Sequence, residues 1–238
     1  MGGHKTDMNT LLEVKNLNVD LDGEKIIDNL SFQVAQGEIL TILGANGAGK
    51  TVLLKTLLGF LPYEGSIVWH QKPKIGYLPQ GLNQLKVKDF PLTVQDFFAL
   101  KNPVPDLEEI TTFLHLVGLE KDTLFKTAGN LSGGQFQRML VAWTLVSHPN
   151  VLFFDEPTTG IDIGGGETIY SLLRTIWEKE KLTIFLVTHD LNIVYKHSTH
   201  VLCLNRKGHH CFGMAKEILN PEMLEQVFGT EIKFYEHH

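Results

Sequence analysis

The chain has 238 residues, of which 43% are hydrophobic and 20% are charged, which is an ordinary globular composition. Its formal net charge of −6 argues against a nucleic-acid-binding protein, because such proteins carry a basic surface. No apolar run approaches about 18 residues, so we expect no membrane span, and the polar start contains no secretory signal. We therefore expect a cytosolic chain whose two cysteines, Cys203 and Cys211, give no disulfide framework.

The first predicted elements are short antiparallel strands. Apolar runs between residues 11 and 35 alternate with turn signals, among which Asp22-Gly23 is typical of a hairpin turn. An antiparallel sheet is therefore predicted ahead of the apolar run 38–43.

That run leads into a glycine-rich loop and then a helix. The loop has the P-loop spacing G-x-x-x-x-G-K-[ST] and consists of Gly44, Ala45, Asn46, Gly47, Ala48, Gly49, Lys50 and Thr51. Its glycines allow successive N–H groups to surround a phosphate chain, and the helix dipole points to the same place. Lys50 would reach the β- and γ-phosphates, and Thr51 would ligate Mg²⁺. The structural alternative is a glycine-rich turn that only caps a helix.

Strands are predicted at 67–69 and 75–78, the second ending in Pro79-Gln80. The apolar period then becomes helical. Thr93 with Asp96 resembles a capping box, and Asp106 with Glu109 caps a second helix. Residues 91–148 are therefore predicted to be a helical insertion.

A second candidate anion site opens the last long helix of this insertion. Its residues are Leu131, Ser132, Gly133, Gly134 and Gln135. Ser132 as N-cap, followed by two glycines, presents N–H groups at a helix start, although by itself the segment could be a flexible cap.

The apolar strand 151–154 ends in Asp155-Glu156. Ligands bind beyond the carboxyl ends of parallel strands, so Asp155 is placed to hold Mg²⁺ and Glu156 to take a proton from the attacking water. A helix-capping acidic pair is the alternative. Further apolar strands at 182–187 and 201–204 alternate with helices, which predicts an α/β fold with a parallel sheet covered on both faces, and a closing helix follows near 220–229.

Together these motifs resemble the ATPase subunit of ATP-binding cassette (ABC) transporters. The resemblance implies a P-loop NTPase core with a mostly parallel sheet, an N-terminal antiparallel β subdomain and an inserted helical subdomain. The predicted division is 11–90 with 149–215 for the core, 91–148 for the insertion, and 216–238 for a closing helix and tail. The family also implies a homodimer in which Ser132, Gly133, Gly134 and Gln135 of one copy face the ATP bound by the P-loop of the other.

The same resemblance assigns roles to four residues that would otherwise be unremarkable. Gln80 matches the glutamine that senses Mg²⁺ or the attacking water, and His189 matches the histidine that contacts the γ-phosphate. Asp162 matches the aspartate at the dimer seam. Leu21 stands where the family usually stacks an aromatic residue on adenine, so base selectivity is expected to be weaker.

Finer features resemble the ATPases of zinc and manganese uptake systems, with iron chelates as the alternative cargo. They lie at 90–94, 160–163, 201–205, 209–211 and 235–238. The resemblance implies ATP and Mg²⁺ as cofactors, a multi-span membrane permease as partner, an extracytoplasmic metal-binding protein, and a peripheral position on the cytoplasmic face of the membrane. The permease contact is expected around residues 90–119 and the segment after Gln80.

Histidines and cysteines near the C-terminus also suggest a metal site. The candidate ligands are His209, His210 and Cys211, with Cys203 or His237 and His238. No standard ligand spacing occurs, and surface histidines near a terminus are commonly inert.

Two other functional classes fit less well. A soluble ABC protein acting on nucleic acid or ribosomes would have a basic patch, tandem cassettes or a long coiled coil. A pseudo-enzyme that only binds ATP is opposed by Lys50, Asp155, Glu156 and His189.

Overall fold

The computed structural model describes residues 9–82, 91–157, 163–205 and 210–220. The elements in chain order are β1 (Thr10–Leu21), β2 (Glu24–Ala35), β3 (Ile39–Leu43), α1 (Lys50–Leu57), β4 (Glu64–Trp69), β5 (Ile75–Leu78), α2 (Val94–Phe98), α3 (Leu107–Leu116), α4 (Gly133–Leu145), β6 (Val151–Asp155), α5 (Ile163–Glu180), β7 (Thr183–Val187), α6 (Leu191–His197), β8 (His200–Cys203), β9 (Cys211–Met214) and α7 (Ala215–Ile218). They fall into two compact units, one running up to Pro73 and resuming at Thr183, the other spanning Lys74–Leu182.

The first unit contains a three-stranded antiparallel sheet with the order β2-β1-β4. The predicted hairpin turn is confirmed, with Asp22 and Gly23 both in the left-handed region at φ 52° and 81°. The sequence suggests two short runs before this turn, but β1 is one strand of 12 residues. The reason is that irregularities in the pairing register, one of them between Val14 and Leu17, absorb the polar residues that interrupt the pattern.

The same unit contains the strands β7-β3-β8-β9 of a second sheet. Strand β3 pairs in parallel with β7 and β8, whereas β9 is antiparallel to β8. All residues of β3 and β7 are buried, as expected for parallel strands covered on both faces. The carboxyl ends of β3 and β7 therefore lie side by side, and the segments that follow them begin at the same edge of the sheet.

The second unit combines the parallel pair β5–β6 with the helices α2 to α5. Both predicted caps are present: Thr93 and Asp96 form a capping box at α2, and the Asp106 carboxylate accepts from the Glu109 N–H at 2.8 Å. The core of this unit includes four fully buried rings, those of Phe98, Phe136, Phe153 and Phe154.

The fold is thus α/β with a mixed sheet that is mostly parallel, an antiparallel β sheet near the N-terminus and a helical region, as predicted. None of the helices within the described ranges is long and apolar enough to cross a membrane. The closing helix expected near 220–229 lies almost entirely outside the described residues, and the boundaries of the helical insertion at 91 and 148 stay a prediction.

The two cysteines depart from the expectation that they form no disulfide. Cys203 and Cys211 are disulfide-bonded, with their Cα atoms 4.9 Å apart. No strand was predicted at Cys211–Met214, but β9 forms there and pairs with β8 so that the two cysteines stand directly opposite each other. The pairing of the strands, which the local pattern does not reveal, brings the sulfurs together.

Candidate nucleotide-binding site

The P-loop connects β3 to α1 in the first unit, as the sequence predicts. Gly47 and Gly49 adopt left-handed backbone angles of φ 76° and 94°, and Gly49 is the N-cap of α1. Within the loop the Ala48 N–H donates to the Ala45 carbonyl at 3.1 Å. Glycine adopts these angles without strain, so the chain can turn tightly here. The N–H groups at the start of α1 then point toward the concave side of the loop, where a phosphate could bind.

The side chain of Lys50 folds back over this loop. Its ammonium group donates to the carbonyls of Gly44 at 2.9 Å and Ala45 at 3.1 Å, and only 6% of the residue is exposed. Thr51 follows in the first turn of α1 and is partly exposed. A buried cation and a hydroxyl thus stand together at a helix start, which is a suitable environment for a phosphate chain.

Two of the loop glycines, Gly44 and Gly49, are required by their neighbours, and Gly49 is required by its backbone angle as well. A Cβ on Gly44 would lie 2.5 Å from the carbonyl oxygen of Leu204, and a Cβ on Gly49 would lie 3.0 Å from the Ile26 side chain. The sequence motif identifies these glycines, but the residues behind them come from β2 and the end of β8 and were not predicted. A contact between residues so distant in sequence leaves no local signal.

His189 lies two residues after β7 and is exposed. Because β7 pairs directly with β3, His189 and the P-loop follow neighbouring strands at the same edge of the first unit. The next residue, Asp190, accepts a hydrogen bond from Asn192 N–H at 2.9 Å and caps α6. This arrangement is consistent with the γ-phosphate role that the sequence suggests for His189.

Gln80 and Glu156 meet in the second unit, at the ends of the paired strands β5 and β6. The Gln80 amide donates to a Glu156 carboxylate oxygen at 2.8 Å. Glu156 has φ 48°, an angle that is uncommon for residues other than glycine and that is often found at functional sites. The structure thus brings together two predicted site residues that are 76 positions apart.

Asp155 precedes Glu156 and is 1% exposed. Burial raises the pKa of the nearby Tyr77 phenol, and the negative charge of Asp155 adds to this rise. A buried carboxylate is costly unless a cation or hydrogen bonds compensate it. The oxygen donors of Asp155 and Gln80 in this unit are of the kind that Mg²⁺ prefers, and the hydroxyl of Thr51 in the first unit is a donor of the same kind. The proximity of Tyr77 to Asp155 was not predicted, since it depends on the β5–β6 register.

The second candidate anion site lies at the start of α4, where the helix is capped as predicted. Ser132 and Gln135 form a reciprocal capping box, in which the Gln135 N–H donates to the Ser132 hydroxyl oxygen and the Ser132 N–H donates to the Gln135 side chain. Because the Ser132 oxygen accepts this bond, its O–H remains able to donate. A Cβ on Gly134 would meet nothing within 4 Å, so the surface over the first turn is open.

Leu21 is the last residue of β1, beside the hairpin turn, and is partly exposed. Its pairing partner across the turn is Glu24. The hairpin also carries Ile26, the residue that contacts Gly49. An apolar side chain without an aromatic ring thus stands on the same hairpin that abuts the P-loop.

Some predicted site residues fall elsewhere. Asp162, His209, His237 and His238 lie outside the described residues. His210 has its ring Nε2 3.1 Å from the Asp28 carbonyl, and the sulfurs of Cys203 and Cys211 are bonded to each other. In the part of the chain that the structure describes, no group of three or more His, Cys, Asp or Glu side chains could hold a metal ion. The structure therefore does not support a metal site near the C-terminus with Cys203 and Cys211 as ligands.

The sequence and the fold of this chain are similar to those of known proteins. The ABC transporter family profile matches residues 27–159. A Thermotoga maritima protein named "Probable metal transport system ATP-binding protein" is 39% identical over 226 residues, covering 92% of this chain and 90% of that protein. The zinc import ATP-binding protein ZnuC of Pasteurella multocida is 35% identical over 226 residues, covering 93% and 82%. A solved structure described as a metal-chelate type ABC transporter superposes with a TM-score of 0.82 at 28% identity, covering 93% of this chain and 90% of that one.

Proposed function

This chain belongs to the ABC transporter family, whose ATP-binding members hydrolyse ATP to power transport, and we propose that it drives uptake of a divalent metal ion, zinc or manganese, through a separate membrane permease. The observation that carries this proposal is the hydrogen-bonded pair of Gln80 and Glu156 in a chain that also has an intact P-loop. A pseudo-enzyme would need neither a carboxylate beyond β6 nor an amide that orients it.

In the proposed reaction the P-loop binds the triphosphate. The Lys50 ammonium exchanges its carbonyl partners for phosphate oxygens, and the N–H groups at the start of α1 contact the same chain of phosphates. Glu156 accepts the proton of the attacking water, while the Gln80 amide holds the carboxylate in place. His189 donates to a γ-phosphate oxygen as negative charge develops there.

Magnesium completes the proposed site. Asp155 and Gln80, with the hydroxyl of Thr51, would hold the ion. When bound, Mg²⁺ neutralises charge on the phosphate oxygens.

We also propose that the working unit is a homodimer. The open first turn of α4 supports this. Ser132, Gly133 and Gly134 carry hydrogen-bond donors there, and these donors are not part of the P-loop, so they are available for a nucleotide bound by another copy. In the dimer these donors bind the γ-phosphate held by the partner copy, with Gln135 fixing Ser132 and Asp162 lying at the seam. Binding of ATP then closes the dimer, and hydrolysis opens it.

The permease is proposed to contact the helical region. Residues 91–119 contain exposed apolar side chains at Leu100, Val104 and Leu107. The chain itself would sit on the cytoplasmic face of the membrane as a peripheral subunit, with an extracytoplasmic metal-binding protein delivering cargo to the permease. In this arrangement the opening and closing of the ATPase dimer would be transmitted through the helical region.

The cargo is inferred from relatives. Proteins named as zinc import ATPases span most of this chain, and this supports zinc or manganese. The likeness to a metal-chelate type transporter keeps iron chelates as the second candidate.

An uptake experiment separates these possibilities. Cells lacking the chromosomal copy would be complemented with the natural chain, with Glu156→Gln, and with Glu178→Gln, a matched exposed change on α5. We expect labelled zinc or manganese to accumulate with the natural chain and with Glu178→Gln, but not with Glu156→Gln. Uptake restricted to a siderophore-bound iron would overturn the cargo, and equal uptake by all three would overturn the motor role.

A further inference from the structure

The disulfide between Cys203 and Cys211 has no part in the chemistry described above. We propose that this pair is a reversible redox site whose disulfide form strengthens nucleotide binding at the P-loop, an inference that rests on the proposed ATPase function. The argument depends on where the two cysteines lie relative to Gly44.

The strands place the two sulfurs for reversible bonding. Cys203 and Cys211 are register partners in the antiparallel pair β8–β9, and their Cα separation of 4.9 Å lies within the range that a disulfide spans without backbone movement. Cys203 is fully buried, whereas 8% of Cys211 is exposed. Cys211 is therefore the sulfur that an external thiol or disulfide meets first.

The pair is connected directly to the nucleotide loop. Cys203 is also the register partner of Leu43, the last residue before the loop, and both belong to one buried apolar cluster. The next residue, Leu204, donates its N–H to the Leu43 carbonyl at 2.8 Å, and its own carbonyl stands 2.5 Å from the Cβ position of Gly44. The backbone at 203–204 thus packs directly against Gly44, the first residue of the P-loop.

Strand β9 determines how firmly the backbone at 203–204 is held in place, because it pairs with β8. This strand has four residues and stands at the edge of the described sheet. Short edge strands open locally at low cost, and a disulfide limits such opening by restricting the chain between the linked residues. Oxidation therefore holds the end of β8, and with it the carbonyl behind Gly44, in one position.

The redox step needs a small disulfide such as oxidised glutathione. The Cys211 thiolate attacks one glutathione sulfur, the glutathione S–S bond breaks, and one glutathione thiolate leaves. The Cys203 thiolate then attacks the Cys211 sulfur of the mixed disulfide and displaces the second glutathione. The two protons of the cysteine thiols pass to the two released glutathiones, so that two cysteine thiols are oxidised and one glutathione disulfide is reduced.

The experiment uses the full chain equilibrated in oxidised or reduced glutathione buffers. Thiol state is read by a mass-tagged maleimide, and binding of Mg²⁺ with the non-hydrolysable ATP analogue AMP-PNP is measured by calorimetry. We expect about fivefold tighter binding in the oxidised buffer, a typical lower value for coupling between two sites. The thermal midpoint should rise by roughly 5 to 10 °C on oxidation, as loop closure by a disulfide predicts for a chain of this size.

Two variants control for other oxidation effects. Cys211→Ser should bind the analogue equally in both buffers, at the affinity of the reduced natural chain. Met214→Ser, an exposed change on the same strand, should keep the full response. Thiols that stay reactive in the oxidised buffer, or equal affinities of the natural chain in both buffers, would overturn the redox site alone. Absence of AMP-PNP binding in either buffer would instead remove the proposed ATPase function.

Discussion

The side-chain amide of Gln80 is hydrogen-bonded to the carboxylate of Glu156 across 2.8 Å, at the ends of two paired parallel strands. An amide side chain cannot act as a base, whereas a carboxylate can. The pair therefore has one member that orients and one that can act as a base, and this difference can be tested.

Replacing Glu156 by glutamine should lower ATP turnover by about 10² to 10⁴, the usual contribution of a general base. The substituted amide retains an oxygen that can accept the bond from Gln80, so nucleotide binding should persist. Phosphate release, measured with the cognate permease, reads the rate, and calorimetry reads binding. Glu178→Gln serves as the matched control, and a parent-like rate in Glu156→Gln would refute the base assignment.

Two glycines should respond in opposite ways to alanine. Gly44→Ala places a Cβ against a backbone carbonyl, so we expect a loss of about 1 to 3 kcal/mol in the free energy of unfolding. Gly134→Ala lies on a helix with open space around the Cβ and should gain about 0.5 to 1 kcal/mol. Denaturant unfolding measures both values, and equal losses in the two variants would contradict the packing described here.

The same Gly134→Ala variant also tests the dimer. A methyl group over the first turn of α4 would obstruct a phosphate from the partner copy, so ATP turnover should fall by about a hundredfold despite the added stability. Normal turnover in this stable variant would mean that the helix start does not face nucleotide.

Leu21 provides a test of base recognition. Leu21→Tyr should raise the affinity for ATP by about two- to tenfold, which corresponds to the free energy of one aromatic stacking contact. It should also increase the preference for ATP over GTP. Competition binding of the two nucleotides measures this ratio. Leu21→Ala controls for side-chain size, and an unchanged ATP affinity in the tyrosine variant would place the base elsewhere.

Hydrogen bonds from the Thr93 side chain and backbone hold the pKa of Asp96 below its ordinary value. A group whose pKa is lower in the folded chain stabilises the fold above its unfolded pKa and loses that effect as the pH falls through the folded value. Asp96→Asn should therefore lower the thermal midpoint at pH 7, and the difference from the natural chain should vanish in strong acid. Glu120→Gln, a change at an exposed residue, controls for the loss of one carboxylate.

Much of this structure is predictable because the signals are local. Thr93 with Asp96 and Ser132 with Gln135 are three residues apart, so their caps can be inferred from spacing alone, and they mark helix starts correctly. The buried strands β3 and β6 are likewise recognisable as continuous apolar runs. What the sequence does not reveal depends on strand pairing, as in the contact of Leu204 with Gly44. The Cys203–Cys211 bond belongs to the same class, since it requires the β8–β9 register.

Lysine side chains carry about 2 kcal/mol of rotamer entropy, which is normally lost when they bind a ligand. In this chain two main-chain oxygens already confine the Lys50 head group above the loop. Much of that ordering is thus completed during folding, so capture of a triphosphate should carry a smaller entropic penalty than it would with a freely rotating lysine.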